Sequence, residues 1–272
     1  MVGQILITGA NGQVGRIIRP HLLERYGALR LSDRDEIEGL AANETAVIAQ
    51  LDNPSAVAAA CEGIDAIVHL GGQPVEDDWE TINQSNIQGA YTLFEAARMA
   101  GVKRIVFASS NHAIGMYPRH SMIGVDHRVR PDSRYGLSKA FGEALGALYA
   151  DKFGLRVMSI RIGNVTERPS DLRRLSIWIH PEDLVQLVTL GLEHPDLHHE
   201  IVYGVSDNVR SFWDNRSAYQ LGYRPKHRAE DYATEALEAE ADLPPDPIGD
   251  QIHGGGFGSA EFDGDMDRLL WS

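Results

Sequence analysis

Gln4-Ile5-Leu6-Ile7-Thr8-Gly9-Ala10-Asn11-Gly12-Gln13-Val14-Gly15 decides the fold. An apolar strand runs into a glycine-rich turn, and the turn opens onto a helix expected to start near Gln13. Gly9 lets the chain leave the strand sharply, Gly12 leaves bare backbone beside a pyrophosphate, and Gly15 lets the helix lie close on the sheet. The free N–H groups and positive dipole end of that helix suit an anion. The spacing is G-x-x-G-x-x-G rather than G-x-G-x-x-G, so the signal rests on the strand before and the helix after. Asn11, Gln13 and Val14 lie inside this loop and join the three glycines as expected contacts of a dinucleotide.

Working outward, Arg16 to Tyr26 continues the helix with Ile17, Ile18, Leu22 and Leu23 at helical spacing, and Ala28 to Asp33 reads as a second strand. Asp33 lies 18 residues past Gly15, where a carboxylate accepts hydrogen bonds from an adenosine ribose and repels a 2′-phosphate. This favours NAD over NADP. Arg34, directly after it, is the residue that could instead pair with that phosphate. A third strand is expected around Ala46 to Gln50, followed by Leu51 and Asp52. Asp52 either reaches an adenine amino group or caps the helix that Pro54 and Ser55 open.

Ala66 to Leu70 is a continuous apolar run ending in Gly71-Gly72, the pattern of a central parallel strand whose end lies under a ligand. Trp79 to Met99 reads as one long helix containing Asn86, and Val102 to Ser110 as another buried strand leading into Asn111-His112. Strands alternating with helices over short connections imply an α/β protein with a doubly wound parallel sheet, a Rossmann fold. Ligands of such sheets gather beyond the carboxyl ends of the strands, so Gly12, Gly71, Ser110 and Asn111 are expected to converge on one crevice. Residues 1–165 form the nucleotide-binding part with the reacting groups. Residues 166–272 form a small C-terminal substrate-binding lobe and tail, interleaved with the first part rather than folding alone.

The chemistry is read from Tyr135-Gly136-Leu137-Ser138-Lys139, on a helix expected after Pro131. Residues i and i+4 share a helix face, and an ammonium beside a phenol favours the phenolate. That lowers the tyrosine toward working pH and makes it a usable acid/base.

The bulk composition bounds what this chemistry serves. The 272 residues and 43% hydrophobic content suit one enzyme-sized unit, and the net charge of −14 repels a nucleic-acid backbone. Cys61 is the only cysteine, which precludes an intrachain disulfide and fits a reducing cytoplasm. No apolar run reaches membrane-spanning length, and no charged-then-apolar leader precedes the first strand.

Taken in order, these residues resemble an extended short-chain dehydrogenase/reductase of the NAD-dependent epimerase/dehydratase superfamily over nearly the whole chain. The resemblance implies Ser110 polarising the substrate oxygen, Tyr135 as acid/base and Lys139 on the nicotinamide ribose. It implies Asn86 steadying a water or backbone in the proton path, and the 25-residue separation of Ser110 and Tyr135 is that of extended members. Phe107 to Gly115, Arg161-Ile162-Gly163, Ile201 to Asn208 and Phe212-Trp213-Asp214-Asn215 are similar to uronate dehydrogenases, which oxidise the anomeric hydroxyl of glucuronate or galacturonate to an aldarolactone with NAD. This adds Leu70 and Ile162 to the cofactor contacts and Gln73, Pro74, Asn111, His112, Asn164 and Arg173 to the substrate contacts.

Arg173 matches the arginine that holds the substrate carboxylate, and its planar fork suits carboxylate, phosphate or sulfonate. Pro74 and Asn164 stand where that family has serines, and Asn164 also resembles NAD-dependent glucose-6-phosphate dehydrogenases. The reading is therefore a small anionic sugar, a hexuronate first and glucose 6-phosphate or sulfoquinovose as alternatives. A sugar-nucleotide epimerase is disfavoured by the roughly 70 residues after Tyr203, and a non-catalytic NAD-binding protein by retention of Ser110, Tyr135 and Lys139. The family's habit of pairing the helices that hold Asn86 and Tyr135 implies a homo-oligomer, dimer or higher.

Four further stretches carry no site in this reading. His194, His198 and His199 lack the partners of a metal set, and Asp263 to Asp267 has its glycine misplaced for a calcium loop, so no metal is expected. Leu243-Pro244-Pro245-Asp246-Pro247 breaks the last helix and starts an extended segment over the body. Gly254-Gly255-Gly256-Phe257-Gly258 reads as part of that tail.

Overall fold

The computed structural model describes residues 2–270. In chain order the elements are β1 (Ile5–Thr8), α1 (Gln13–Tyr26), β2 (Leu29–Asp33), β3 (Glu44–Ile48), α2 (Pro54–Cys61), β4 (Ala66–His69), α3 (Trp79–Ile82) and α4 (Gly89–Ala100). They continue with β5 (Arg104–Ser110), α5 (Arg134–Phe153), β6 (Arg156–Ile162), β7 (Asn164–Val165), α6 (Leu172–Ile177), β8 (Trp178–Ile179), α7 (Pro181–Glu193) and β9 (His199–Gly204). Four short helices complete the described chain: α8 (Arg216–Gln220), α9 (Ala233–Glu240), α10 (Gly256–Ser259) and α11 (Met266–Leu270).

Seven strands form one parallel sheet in the order β3-β2-β1-β4-β5-β6-β9. Because β1 lies between β2 and β4, the chain winds outward in opposite directions from it, and the crevice where a ligand fits opens at that point. Every residue of β1 and β4 is buried, as a strand covered on both faces requires. One apolar cluster, with Ile18, Leu22, Leu184 and Leu187, packs α1 and α7 on one face. A second, with Val57, Leu93, Phe94 and Tyr149, packs α2, α4 and α5 on the other. Strand β9 and helix α7 come from the second half of the chain yet belong to the main body. None of the described helices is long and apolar enough to cross a membrane.

Three local readings are corrected. The expected helix from Trp79 to Met99 is interrupted by a π-helical stretch, Asn83–Gln88, which turns Asn86 inward. The third strand is Glu44–Ile48, ahead of the expected Ala46 to Gln50. Helix α2 is capped by Asn53, whose side chain accepts from Ala56 N, so the capping role weighed for Asp52 falls to its neighbour.

Helix α5 sits close on the sheet: a Cβ on Gly142 would run into the Phe107 ring, and one on Gly146 would lie 3.0 Å from Val157. Beneath it lies a buried ion pair. Arg161 of β6 donates to both oxygens of Glu143 of α5, at 2.8 and 2.9 Å, while Ser109 of β5 donates to Glu143 Oε1 at 2.6 Å. Both charged side chains are almost wholly buried. Removing one partner strands the other charge in a medium that cannot solvate it, so Glu143→Leu should destabilise the fold by about 3–5 kcal/mol in urea unfolding. The double variant Glu143→Leu/Arg161→Leu should recover most of that loss.

Candidate active site

The carboxyl ends of the central strands open into one cleft of about 1430 Å³. At one end it is lined by Gly9, Asn11, Gly12, Gln13, Val14, Gly15, Asp33, Arg34, Leu51, Asp52, Leu70, Gly71 and Gly72. Toward the other end lie Gln73, Pro74, Ser110, Asn111, His112, Tyr135, Lys139, Ile162 and Asn164. Of the residues expected from sequence, only Asn86 and Arg173 stand off its walls.

The first end is shaped for a dinucleotide. Gly9 has φ +67°, and a Cβ there would come within 2.7 Å of Gly71 N; one on Gly15 would come within 2.5 Å of Gly9 O. Helix α1 has no side-chain cap and no acid in its first turn, so its N–H groups and positive end are left to a bound phosphate. Asp33 accepts from the backbone N–H of Asn11 and of Arg34, each at 2.8 Å, which orients the carboxylate and leaves lone pairs for ribose hydroxyls. Arg34 turns instead to Asp35, with Nε 3.3 Å from Oδ2. With Glu36 and Glu38 also on this rim, the local charge opposes a 2′-phosphate. Asp52 accepts from Gln84 Nε2 at 2.6 Å.

At the other end, α5 begins where Ser133 accepts from Gly136 N at 3.0 Å and Glu76 accepts from Tyr135 N at 2.7 Å. Tyr135 and Lys139 then share a face one turn apart, with Lys139 Nζ 5.3 Å from the Tyr135 ring centre and 5.4 Å from that of Phe107. Ser110 Oγ accepts from His112 N at 3.2 Å, which leaves the serine proton for a second partner.

The expected lowering of Tyr135 does not appear. Burial pushes its phenol up to about 12, a hydrogen bond to Ser110 acting the other way and the Asp132 charge adding to the rise. Lys139 is itself pushed down to about 8 by burial. The ammonium lies over the ring face rather than at the hydroxyl, so it cannot offset the cost of a desolvated phenolate.

Asn86 works through backbone. Its Oδ1 accepts from Gln73 N at 2.6 Å, and its Nδ2 donates to Gln73 O at 3.1 Å and to Ser138 Oγ at 3.0 Å, tying the loop after β4 to α5. Arg173 lies behind the wall. Its Nε donates to His253 O at 3.0 Å. With the Asn111 amide oriented so that nitrogen donates to Ile162 O, Asn111 oxygen accepts from Arg173 Nη2 at 3.2 Å. Arg173 has no carboxylate within ion-pair distance and no partner for Nη1 among the described residues. Burial and the nearby Arg174 and Arg119 push its guanidinium down to about 10. Arg174 is paired with Asp171 at 2.8 Å.

The glycine-rich segment near the C-terminus is part of the site rather than a tail. Arg119 holds it through Ile252 O at 3.0 Å and Gly249 O at 2.8 Å, and Phe257 reaches the cleft. The Phe257 ring stacks on His112 at 4.0 Å and meets Tyr135 edge-on at 6.1 Å. The available signal in the sequence was four glycines around one aromatic, the composition of a backbone packed tightly against its neighbours.

A different cluster, His180, Glu182 and His227, has metal-ligand spacing among the described residues. His180 Nδ1, however, accepts from Glu182 N at 3.2 Å to cap α7, so the neutral ring carries its proton on Nε2, which lies 3.4 Å from Glu167. That nitrogen has no lone pair for a metal.

Comparison with known proteins follows the same lines. Residues 5–166 match the NAD dependent epimerase/dehydratase family. Uronate dehydrogenase of Pseudomonas putida is 43% identical over 260 residues, covering 94% of this chain and 96% of the relative. Glucuronic acid dehydrogenase from Chromohalobacter salexigens superposes with a TM-score of 0.92 at 42% identity, covering 95% of this chain and 97% of the other. A tyrosine-to-alanine mutant of uronate dehydrogenase from Agrobacterium tumefaciens, solved in complex with NAD, superposes at 0.90 with 42% identity and the same coverage.

The buried Lys139 also has a signature in stability. Its folded-state value near 8 lies below the ordinary 10.5, so between those pH values the unfolded chain binds more protons than the native one. Stability relative to Lys139→Met should therefore rise by up to about 3 kcal/mol as pH climbs through that window, read from urea midpoints of the two proteins.

Proposed function

The chain belongs to the NAD dependent epimerase/dehydratase family, and on that premise we propose that it is an NAD-dependent uronate dehydrogenase. It oxidises the anomeric C1 hydroxyl of glucuronate or galacturonate to an aldarolactone. Residues 1–165 supply the nucleotide site and the reacting groups, and residues 166–272 the wall against which the sugar sits.

NAD, when bound, supplies the acceptor for the C1 hydride and a positive charge beside Tyr135. Tyr135 takes the hydroxyl proton. Ser110, whose oxygen is already engaged by His112 N–H, donates to the same substrate oxygen. Lys139 would hold the ribose, and the positive charge of bound NAD would offset the burial that raises the phenol. Asn86 keeps the Gln73 loop, and with it the cleft wall, in register with α5. Holding both reactants in line supplies much of the rate.

The observation that carries the sugar-acid reading is Arg173. A cation pushed down by burial, without a carboxylate partner and with Nη1 unused among the described residues, lies directly behind Asn111. A substrate carboxylate gives it the missing counter-charge.

We place the protein in a reducing cytoplasm, in keeping with a lone, buried Cys61 whose thiol burial pushes up to about 11. Its partner is a second copy of itself. The neighbouring helices α4 and α5 leave Tyr91, Met99, Leu137 and Leu148 exposed, an apolar face that association covers. Sedimentation should show a dimer or larger species, and a monomer would exclude this.

Tyr135→Phe should bind NAD with unchanged affinity by calorimetry and lose about 10²-fold or more in turnover. In a panel of glucuronate, galacturonate, glucose 6-phosphate, sulfoquinovose and glucose, the uronates with NAD should give the highest kcat/KM. Arg173→Ala should cost about 2–5 kcal/mol of transition-state binding on the uronates and far less on glucose. Equal losses on both would make Arg173 structural.

A further inference from the structure

His112 is held by a buried carboxylate. Its Nδ1 lies 2.7 Å from Asp132 Oδ2, the Asp132 side chain has no exposure at all, and Ser133 Oγ donates to the other oxygen at 2.7 Å. The two residues are also linked through backbone, Asp132 N donating to His112 O at 3.2 Å. Room for the carboxylate comes from glycines on three segments. A Cβ on Gly115 or Gly254 would overlap it, and one on Gly136 would lie 3.1 Å from Oδ1. On its far side the imidazole stacks on Phe257, at 4.0 Å and 18°.

An ionised carboxylate only accepts, so an Nδ1 at this distance must carry the proton. With Nδ1 protonated, a ring that is neutral has its lone pair on Nε2, and His112 lines the cleft. A hydrogen-bond acceptor there takes a hydroxyl and turns away a carboxylate.

We propose that Asp132 is a positioning residue that fixes the tautomer of His112, so that His112 receives a sugar hydroxyl and the acid end of the substrate is directed away from it, toward Arg173. The proposal rests on the uronate reading for its substrate, but the tautomer belongs to the protein alone. Asp132 is not among the residues that line the cleft, whereas His112 is, so its effect is carried by which imidazole nitrogen bears the hydrogen.

The test is nitrogen NMR of the histidine-labelled protein without sugar, with the His112 signals assigned by their loss in His112→Gln. In the wild type Nδ1 should be the protonated nitrogen. Asp132→Asn keeps an acceptor for Nδ1–H through its amide oxygen and offers its NH₂ to Ser133, so it should retain the tautomer and nearly wild-type kinetics. Asp132→Ala removes the acceptor. It should release the ring toward the Nε2-protonated form and raise KM for glucuronate about tenfold or more, with NAD affinity unchanged. A wild-type ring protonated on Nε2 would overturn the proposal, and that measurement needs no Asp132 variant to fold. So would an Asp132→Ala protein whose KM is unaltered, or an Asp132→Asn protein as impaired as Asp132→Ala. Because the tautomer is read without sugar, a wrong substrate shows in the panel and a wrong role for Asp132 shows here.

Discussion

The Arg161–Glu143 pair is the contact on which the reacting end of the cleft depends. It joins α5 to β6, takes in β5 through Ser109, and reaches β9 because Arg161 Nη1 also donates to Tyr203 OH at 3.3 Å. Tyr203 in turn donates to Gly124 O, which brings in the loop between β5 and α5. Two charges out of water are costly unless each hydrogen-bonding group is met, and here both carboxylate oxygens and all three guanidinium nitrogens have partners. The result is a helix whose rotation and height over the sheet are fixed two turns from Tyr135 and one from Lys139.

From that anchor the polar geometry runs outward in layers. Glu76 and Ser133 hold the first turn of α5, Asn86 ties the loop after β4 to the same helix, and Ser110 is set by the backbone of His112. The nucleotide end needs fewer side chains. Backbone closeness at Gly9 and Gly15 and an uncapped helix do most of it, with the Asp33 carboxylate oriented beside them by Asn11 N–H.

This division explains what was legible in the sequence. The strand-turn-helix of residues 4–15 could be read because its chemistry is local, and the alternation of strand and helix then dictates a doubly wound sheet. Tyr135 and Lys139 were readable as an i, i+4 pair. The π-helical turn at Asn83–Gln88 was not, since nothing in its composition distinguishes it from ordinary helix. Nor was the raised phenol of Tyr135, because burial is a property of the packed whole and outweighs a neighbour four residues away. Phe257 lies more than a hundred residues from Tyr135, beyond any spacing rule, and its place follows from long-range contacts such as the grip of Arg119 on the chain around it.

That grip has a consequence for how the protein matures. Every strand of the sheet has been synthesised by Gly204, while the aromatic lid on His112 and the carbonyl that holds Arg173 come from residues 253–257. A chain that has emerged only as far as Gly204 therefore holds all seven strands and the glycine-rich turn, but neither the Phe257 ring that stacks on His112 nor the His253 carbonyl that accepts from Arg173. The contacts on these two residues are the last to form.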